Sequence, residues 1–295
     1  DNTPKESTEK STLRFAYNWS GSDAKAQYFE PALEKYKSEN KDNVEIQLEP
    51  APGNELQTKI KVDVAGGNIP DIFMYWGGAF LKPLVEGQVL INIDDYLNAS
   101  EKVTKDQFNP DSWAPLKDGD VTYGVPVEVF KGFFLVNKSL FEKYDLEYPK
   151  NYEDLEKVTK VFKENDIIPI SATSKAGDPG HMFYSAMVGQ MENGKEDMLT
   201  VAETKKFNTD SALKAAVLIE DMKKAGMIPE DTIGNGDWGP NLALYNAQKA
   251  AMVYTFPWMI GAVEPEIAEA TEVVSLPQVR DGVVDPASFT IGSTS

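Results

Sequence analysis

Hydrophobic and polar positions along the chain change period often enough to mark most elements. Leu13-Arg14-Phe15-Ala16-Tyr17 alternates as a short strand does, and Val44, Ile46 and Leu48 alternate again. Between them Phe29, Ala32, Leu33 and Tyr36 recur at helical spacing. Leu56, Ile60 and Val64 mark a second helix closed by Gly66-Gly67, and Ile69-Pro70 opens a short apolar run through Met74. Strand, helix, strand, helix, strand in this order predicts a βαβαβ unit with a parallel sheet. A helix over 79–86 ends at Gly87, and residues 98–122 are rich in loop signals.

Tyr123–Glu128 and Gly132–Asn137 then read as strands. Ser139–Glu142 reads as a capping box, and Asn151 caps a helix that turns Leu155, Val158 and Phe162 inward. Further strands are expected at 167–170, 250–254 and 273–276. Helices are expected at 181–191 and 209–225, the latter with Ala212, Ala215, Ile219 and Met222 on one side. The pattern predicts two α/β lobes. An N-terminal lobe takes 13–124 plus 275–295, a C-terminal lobe takes 125–274, and residues 1–12, without an apolar side chain, form a leader.

Composition narrows the chemistry. The 295 residues suffice for about two domains. Lys+Arg 29 against Asp+Glu 47 gives a net charge of -18, which argues against nucleic acid or an anionic membrane surface as partner. Cysteine is absent and His181 is the single histidine, so thiol catalysis and histidine-rich zinc sites are excluded and no cofactor is called for. Arg14 and Arg280 are the only arginines. The chemistry left is carboxylate, amide, hydroxyl and aromatic.

In open α/β sheets ligands bind beyond the carboxyl ends of strands. The loops there hold Asn18-Trp19, Asp23, Tyr75-Trp76, Glu128, Asp178 to His181, Trp238 and Trp258. Four of the five tryptophans lie beside Gly, Pro, Asn or Asp and outside the expected elements. Flat rings suit the apolar faces of a pyranose, and carboxylates accept from its hydroxyls. Structural readings stand beside each: Trp as a loop plug, Glu128 as a solvated edge acid, Asp23 and Asp178 as caps, His181 as a helix start. Gly234–Gly239 fits GxGxxG without a preceding strand, and Asp118-Gly119-Asp120 is a turn too short for a calcium loop. Asn18, Asn98 and Asn137 sit in N-x-S sequons, which matter only in a eukaryotic secretory setting.

The run Gly53–Ile60 with Ala65-Gly66-Gly67-Asn68-Ile69-Pro70-Asp71-Ile72-Phe73 resembles the family 1 extracellular solute-binding proteins of bacterial ABC transporters, the carbohydrate-binding group that includes maltose-binding protein. Leu81–Leu90, Tyr123–Glu128, Phe134–Tyr144 and Gln248–Trp258 agree in the same order. The resemblance implies a two-lobed periplasmic-binding-protein-like fold (type II), each lobe a mostly parallel sheet flanked by helices, closing on a sugar by hinge motion. It implies a non-enzymatic, monomeric receptor that hands a carbohydrate to membrane permease subunits. Contacts would come from Asn18, Trp19, Asp23, Tyr75, Trp76 and Glu128 in one lobe, and from Asp178, His181, Trp238 and Trp258 in the other. Composition and leader suit an extracellular, lipid-anchored protein of a Gram-positive bacterium. Phe256 stands where the family usually has Gly, and the second lobe is expected to lack its C-terminal part. Binding of a cationic ligand or peptide, and a glycoside hydrolase needing two carboxylates about 5–9.5 Å apart, are the alternatives.

Overall fold

The computed structural model describes residues 11–21, 23–175, 178–232, 234, 238–286 and 292–294. The chain divides into two compact units, residues 1–129 with 293–295, and residues 130–292. The second crossing differs from the sequence division, which ended the C-terminal lobe at 274. The reason is packing. Leu276 and Val279 are buried in the second unit's core, the fully buried Gln190 accepts from Val279 N at 2.9 Å, and Arg280 donates to Asp221 at 2.6 Å.

In the first unit β1 (Ser11–Tyr17), α1 (Ala26–Asn40), β2 (Val44–Pro50), α2 (Glu55–Gly66) and β3 (Ile72–Phe73) build a three-stranded parallel sheet of order β2-β1-β3. Strand β1 starts two residues inside the expected leader. Gly67 closes α2 in the left-handed conformation (φ 66°), where a Cβ would be strained. Leu56 and Ile60 are fully buried against Ala16, Tyr17 and Met74, each side chain worth about 1.5–3 kcal/mol of apolar transfer. On α1 the inward stripe is Ala26, Phe29 and Leu33. Ala32 and Tyr36 face outward, so the expected stripe was rotated. Arg14 ties the sheet ends, pairing with Glu49 at 2.5 Å and donating to the Asn68 carbonyl at 3.1 Å.

Further along, the expected 79–86 helix is a 3-10 turn (Gly78–Phe80) followed by α3 (Lys82–Glu86). Helix α4 (Asp94–Ala99) precedes β4 (Lys117–Asp118) and β5 (Val121–Thr122), an antiparallel hairpin around Gly119 (φ 58°). The strand expected at 123–128 is instead β6 (Glu128–Phe130), so Glu128 opens a strand rather than following one. Pro126, which lacks an N–H for a ladder, sits inside the expected run.

The second unit carries β7 (Phe133–Asn137), α5 (Lys138–Lys143), α6 (Tyr152–Glu164), β8 (Ile168–Ser171), α7 (Asp178–Gln190), α8 (Gly194–Thr204), α9 (Asp210–Ala225), α10 (Trp238–Asn246), β9 (Ala250–Thr255), α11 (Pro265–Ala268) and β10 (Thr271–Val274). Asn137, not Ser139, caps α5, its side chain accepting from Leu140 N, while Asn151 caps α6 as expected. The sheet order is β10-β7-β9-β8. Only β8 and β9 run parallel, and β7 is antiparallel to both its neighbours, with Asn137 opposite Thr271. The expected mostly parallel sheet therefore does not hold in this unit. A strand buried on both faces shows the same apolar run in either direction, so its polarity is not in the pattern. Here Phe134, Val136, Met252 and Tyr254 face the core under α6, α7 and α9, and Leu135 and Val253 face Leu242, Tyr245 and Ile267. On α9 the buried stripe is Ser211, Ala215, Leu218 and Met222, one position off the expected face.

Candidate functional site

The loop after β1 is built around charge and orphaned polar atoms. Gly21 turns it at φ 64° and the Asp23 carboxylate accepts from Lys25 N at 2.8 Å, an Asx turn that leads into α1. That turn places the Lys25 ammonium 2.9 Å from Glu128 Oε1, 3.6 Å from Asp23 Oδ2 and 5.0 Å over the Trp19 ring. Trp19 stands edge-on to Phe29 at 5.1 Å. Beside this cluster three consecutive residues bury a polar atom that has no hydrogen-bond partner: Asn18 Oδ1, Trp19 Nε1 and Ser20 Oγ. Asn18 and Ser20 are 9% and 2% exposed. Burying such a group unpaired costs about 1–3 kcal/mol. The set offers an acceptor, a donor and a hydroxyl that is both.

Of the residues expected in this unit, Asn18, Trp19, Asp23 and Glu128 come together, and Lys25 joins them. The sequence reading missed Lys25, although a lysine two residues after Asp23 at a helix start was visible. Tyr75 is core instead of surface. It is 4% exposed, burial pushes its phenol up, and its ring packs edge-on against Phe73 and Trp76. Trp76 is the half-buried ring it supports. Gly77 follows because a Cβ there would meet the Pro115 carbonyl oxygen at 2.7 Å.

In the second unit the aromatic residues form a stack with flanks. Phe256 precedes Pro257, which favours extended backbone, and it has φ -136° and ψ 167°. Trp258 then lies parallel to the Phe256 ring, with centroids 4.7 Å apart and planes 2° from coincidence. Trp238 stands at 86° to Phe256 and 88° to Trp258, 5.6 and 5.9 Å away. Phe130 stands at 84° and 83°, 5.8 and 5.3 Å away. Each flanking ring is nearly equidistant from both members, so the two lie alongside the stack rather than capping it. Phe256 is fully buried, whereas Trp238 and Trp258 are half-buried. Trp238 opens α10 and Trp258 lies in a 3-10 helix (Pro257–Ala262), so neither is in irregular loop as expected. Phe130 and Phe256 were not singled out as contacts. The Phe-Pro-Trp order was the available signal for Phe256.

His181 lies on the exposed side of α7, whose first residue is Asp178; the Asp178 side chain is outside the described residues. Asn235, Gly236 and Asp237 of the glycine-rich motif are outside them too, and Gly234 is in a turn. Among the described residues no group of His, Asp or Glu side chains could hold a metal ion, and no helix is long and apolar enough to cross a membrane.

Comparison with known proteins gives one family. The model for bacterial extracellular solute-binding proteins matches residues 19–294. The fructooligosaccharide ABC transporter substrate-binding protein FusA of Streptococcus pneumoniae is 23% identical over 232 residues, 69% of this chain. The chain spans 42% of the length of that curated relative. Among solved structures, one reported for xylan utilisation by the thermophilic bacterium Caldanaerobius polysaccharolyticus superposes with a TM-score of 0.80 at 27% identity, covering 96% of this chain and 72% of the other. The GacH receptor of Streptomyces glaucescens, solved unliganded and with acarbose, gives 0.74 at 19% identity, covering 97% and 71%. With nearly the whole chain inside the family model, and a fold shared with sugar receptors over almost its full length, the chain belongs to the bacterial extracellular solute-binding proteins.

Proposed function

We propose that this chain is the substrate-binding receptor of an ABC importer and that its ligand is a neutral sugar or oligosaccharide. The observation that carries the reading is the loop after β1, where three adjacent buried polar groups lack partners beside two carboxylates that share one ammonium. Hydroxyls of a polyol satisfy acceptors and donors together, and the half-buried Trp76, Trp238 and Trp258 suit the apolar faces of sugar rings. Lys25 offsets part of the local negative charge, which favours a neutral ligand over a polyamine or cationic peptide. The receptor carries out no chemistry on the sugar and passes it to membrane permease subunits. It works as a monomer outside the cell, held by a lipid anchor at the membrane of a Gram-positive bacterium.

The test is a thermal-shift screen with 1-kestose, xylotriose, chitotriose and maltotriose, with spermidine and a trilysine peptide as cationic controls. A ligand that binds only the native state adds about 2.7 kcal/mol of stability at a hundred times its dissociation constant. At least one sugar raises the melting temperature and is recovered intact. A shift with the cations alone, or cleavage of the sugar, overturns the reading.

A further inference from the structure

We infer that Phe256, a residue no ligand can touch, is a positioning residue that fixes the angle of the Trp258 platform and through it the affinity for sugar. The inference rests on the receptor reading above. It starts from the sequence: the proline after Phe256 holds that residue extended and begins a 3-10 turn, so the ring at 258 folds back over the ring at 256. The result is a stacked pair with nearly parallel planes, 4.7 Å between centroids and 2° between planes. Among the described aromatic pairs the only other stacked one, Phe15 with Tyr17, is tilted by 30°.

Phe256 is itself closely packed. It is fully buried and held edge-on by Phe130, Tyr254 and Trp238 at 5.8, 5.4 and 5.6 Å. Tyr254 is fixed in turn, since its hydroxyl donates to the Met182 carbonyl and its ring fills the space beside Gly132, where a Cβ would fall 2.2 Å from that hydroxyl. The orientation of one half-buried indole is thereby handed down from a packed core, with Phe256 the one ring that lies flat against it and Phe130 and Trp238 standing edge-on. An aliphatic side chain at 256 would fill much of the volume but impose no plane, and Trp258 would lose its angle. A platform whose tilt must be set on binding costs affinity in proportion to the orientations lost.

The experiment uses Phe256→Leu, Trp258→Leu and the double variant. Titration calorimetry is run with whichever of the four sugars gives the largest thermal shift. Trp emission and near-ultraviolet circular dichroism are recorded without ligand. Phe256→Leu weakens binding about fivefold, the middle of the range that one aromatic pair converts to. It changes the near-ultraviolet spectrum while the far-ultraviolet spectrum is kept. In the Trp258→Leu background the same substitution changes affinity by less than about twofold, because there is no platform left to position. A Phe256→Leu protein that binds like wild type, or a loss that simply adds to that of Trp258→Leu, overturns the inference while leaving the receptor reading intact. If Trp258→Leu alone changes nothing, the platform itself falls, and the inference with it. Should Phe256→Leu fail to fold, Phe256→Met replaces it under the same criteria.

Discussion

The two units each present tryptophan, but they hold it by different physics. In the first, Trp19 lies under an ammonium that also serves two carboxylates, with buried polar atoms on either side. In the second, Trp258 lies on the Phe256 ring and is flanked by Phe130 and Trp238. The first patch supplies directional bonds, whose energy depends on charge and water. The second supplies rigid area, whose energy depends on shape. Directional bonds match the hydroxyls of a sugar, and flat rigid area matches the apolar faces of its ring.

The difference can be broken from either side. The largest effect is expected from Trp258→Ala, at about 2 kcal/mol of binding energy, or about a thirtyfold weakening, as for a central aromatic anchor. The loss should be the same at low and at high salt, because no charge is removed. Glu128→Gln is expected to cost about tenfold, from hydrogen bonds to a charged group worth about 1.5–3 kcal/mol, less what solvent at a partly open site screens away. Its loss should shrink as salt is raised. Calorimetry at two ionic strengths checks both, and equal salt dependence for the two variants would erase the distinction between the patches.

The smallest effect is on stability, and it runs in opposite directions with pH. In the first unit Glu49 is half-buried, and that desolvation alone would raise it, but hydrogen bonds from Arg14 and Lys59 outweigh the desolvation and lower it. Asp94 is held at about 2, chiefly by the Thr122 backbone N–H and then by Lys105. Asp106 is lowered by the Thr104 side chain. Carboxyls lowered in the folded state stabilise it above their ordinary values near 4, and that contribution is lost as pH falls towards about 2. Among the described residues these lowered carboxyls all lie in the first unit. Burial pushes Tyr148 and Tyr245 of the second unit up to about 12, and raises Tyr152, Tyr184 and Tyr254 as well. Phenols raised in this way contribute fully below about 10, and the contribution fades as pH climbs towards 12. Among the described residues the first unit has two such phenols, Tyr17 and Tyr75. Acid should therefore open the first unit first and alkali the second. Hydrogen exchange read peptide by peptide along a pH series would show it, and the same order at both extremes would refute it.

What the sequence made legible follows the same division. The parallel sheet of the first unit was readable because each strand is joined to the next by one helix, so the order of elements settles the topology. The reversed β7 was not, because β9 enters between β7 and β8 from far along the chain. For the site, Trp19, Trp76 and Trp258 stood out by residue type and by their place after strands, and Glu128 as a carboxylate at the end of an apolar run, although it opens β6. Lys25 did not, since an isolated lysine among 27 says nothing until a strand a hundred residues on brings a carboxylate to it. Phe256 was legible as a departure from a pattern, but its use as a base for Trp258 depends on a dihedral that no periodicity encodes. Tyr75 shows the converse: an aromatic in a loop motif that the core had already taken.

The place of β7 between β10 and β9 also has a consequence in time. The first unit's sheet is complete once Phe73 has been made. Phe133-Phe134-Leu135-Val136-Asn137 has no partner strand until Val136 can meet Met252 and Asn137 can meet Thr271. At about 5–20 residues per second of synthesis, that strand waits on the order of ten seconds for its neighbours. During that interval an apolar segment of the second unit must be shielded or tolerated by the nascent chain. The two units thus differ in when their larger sheets can close, the three-stranded sheet after Phe73 and the four-stranded one only after Thr271 and its neighbours.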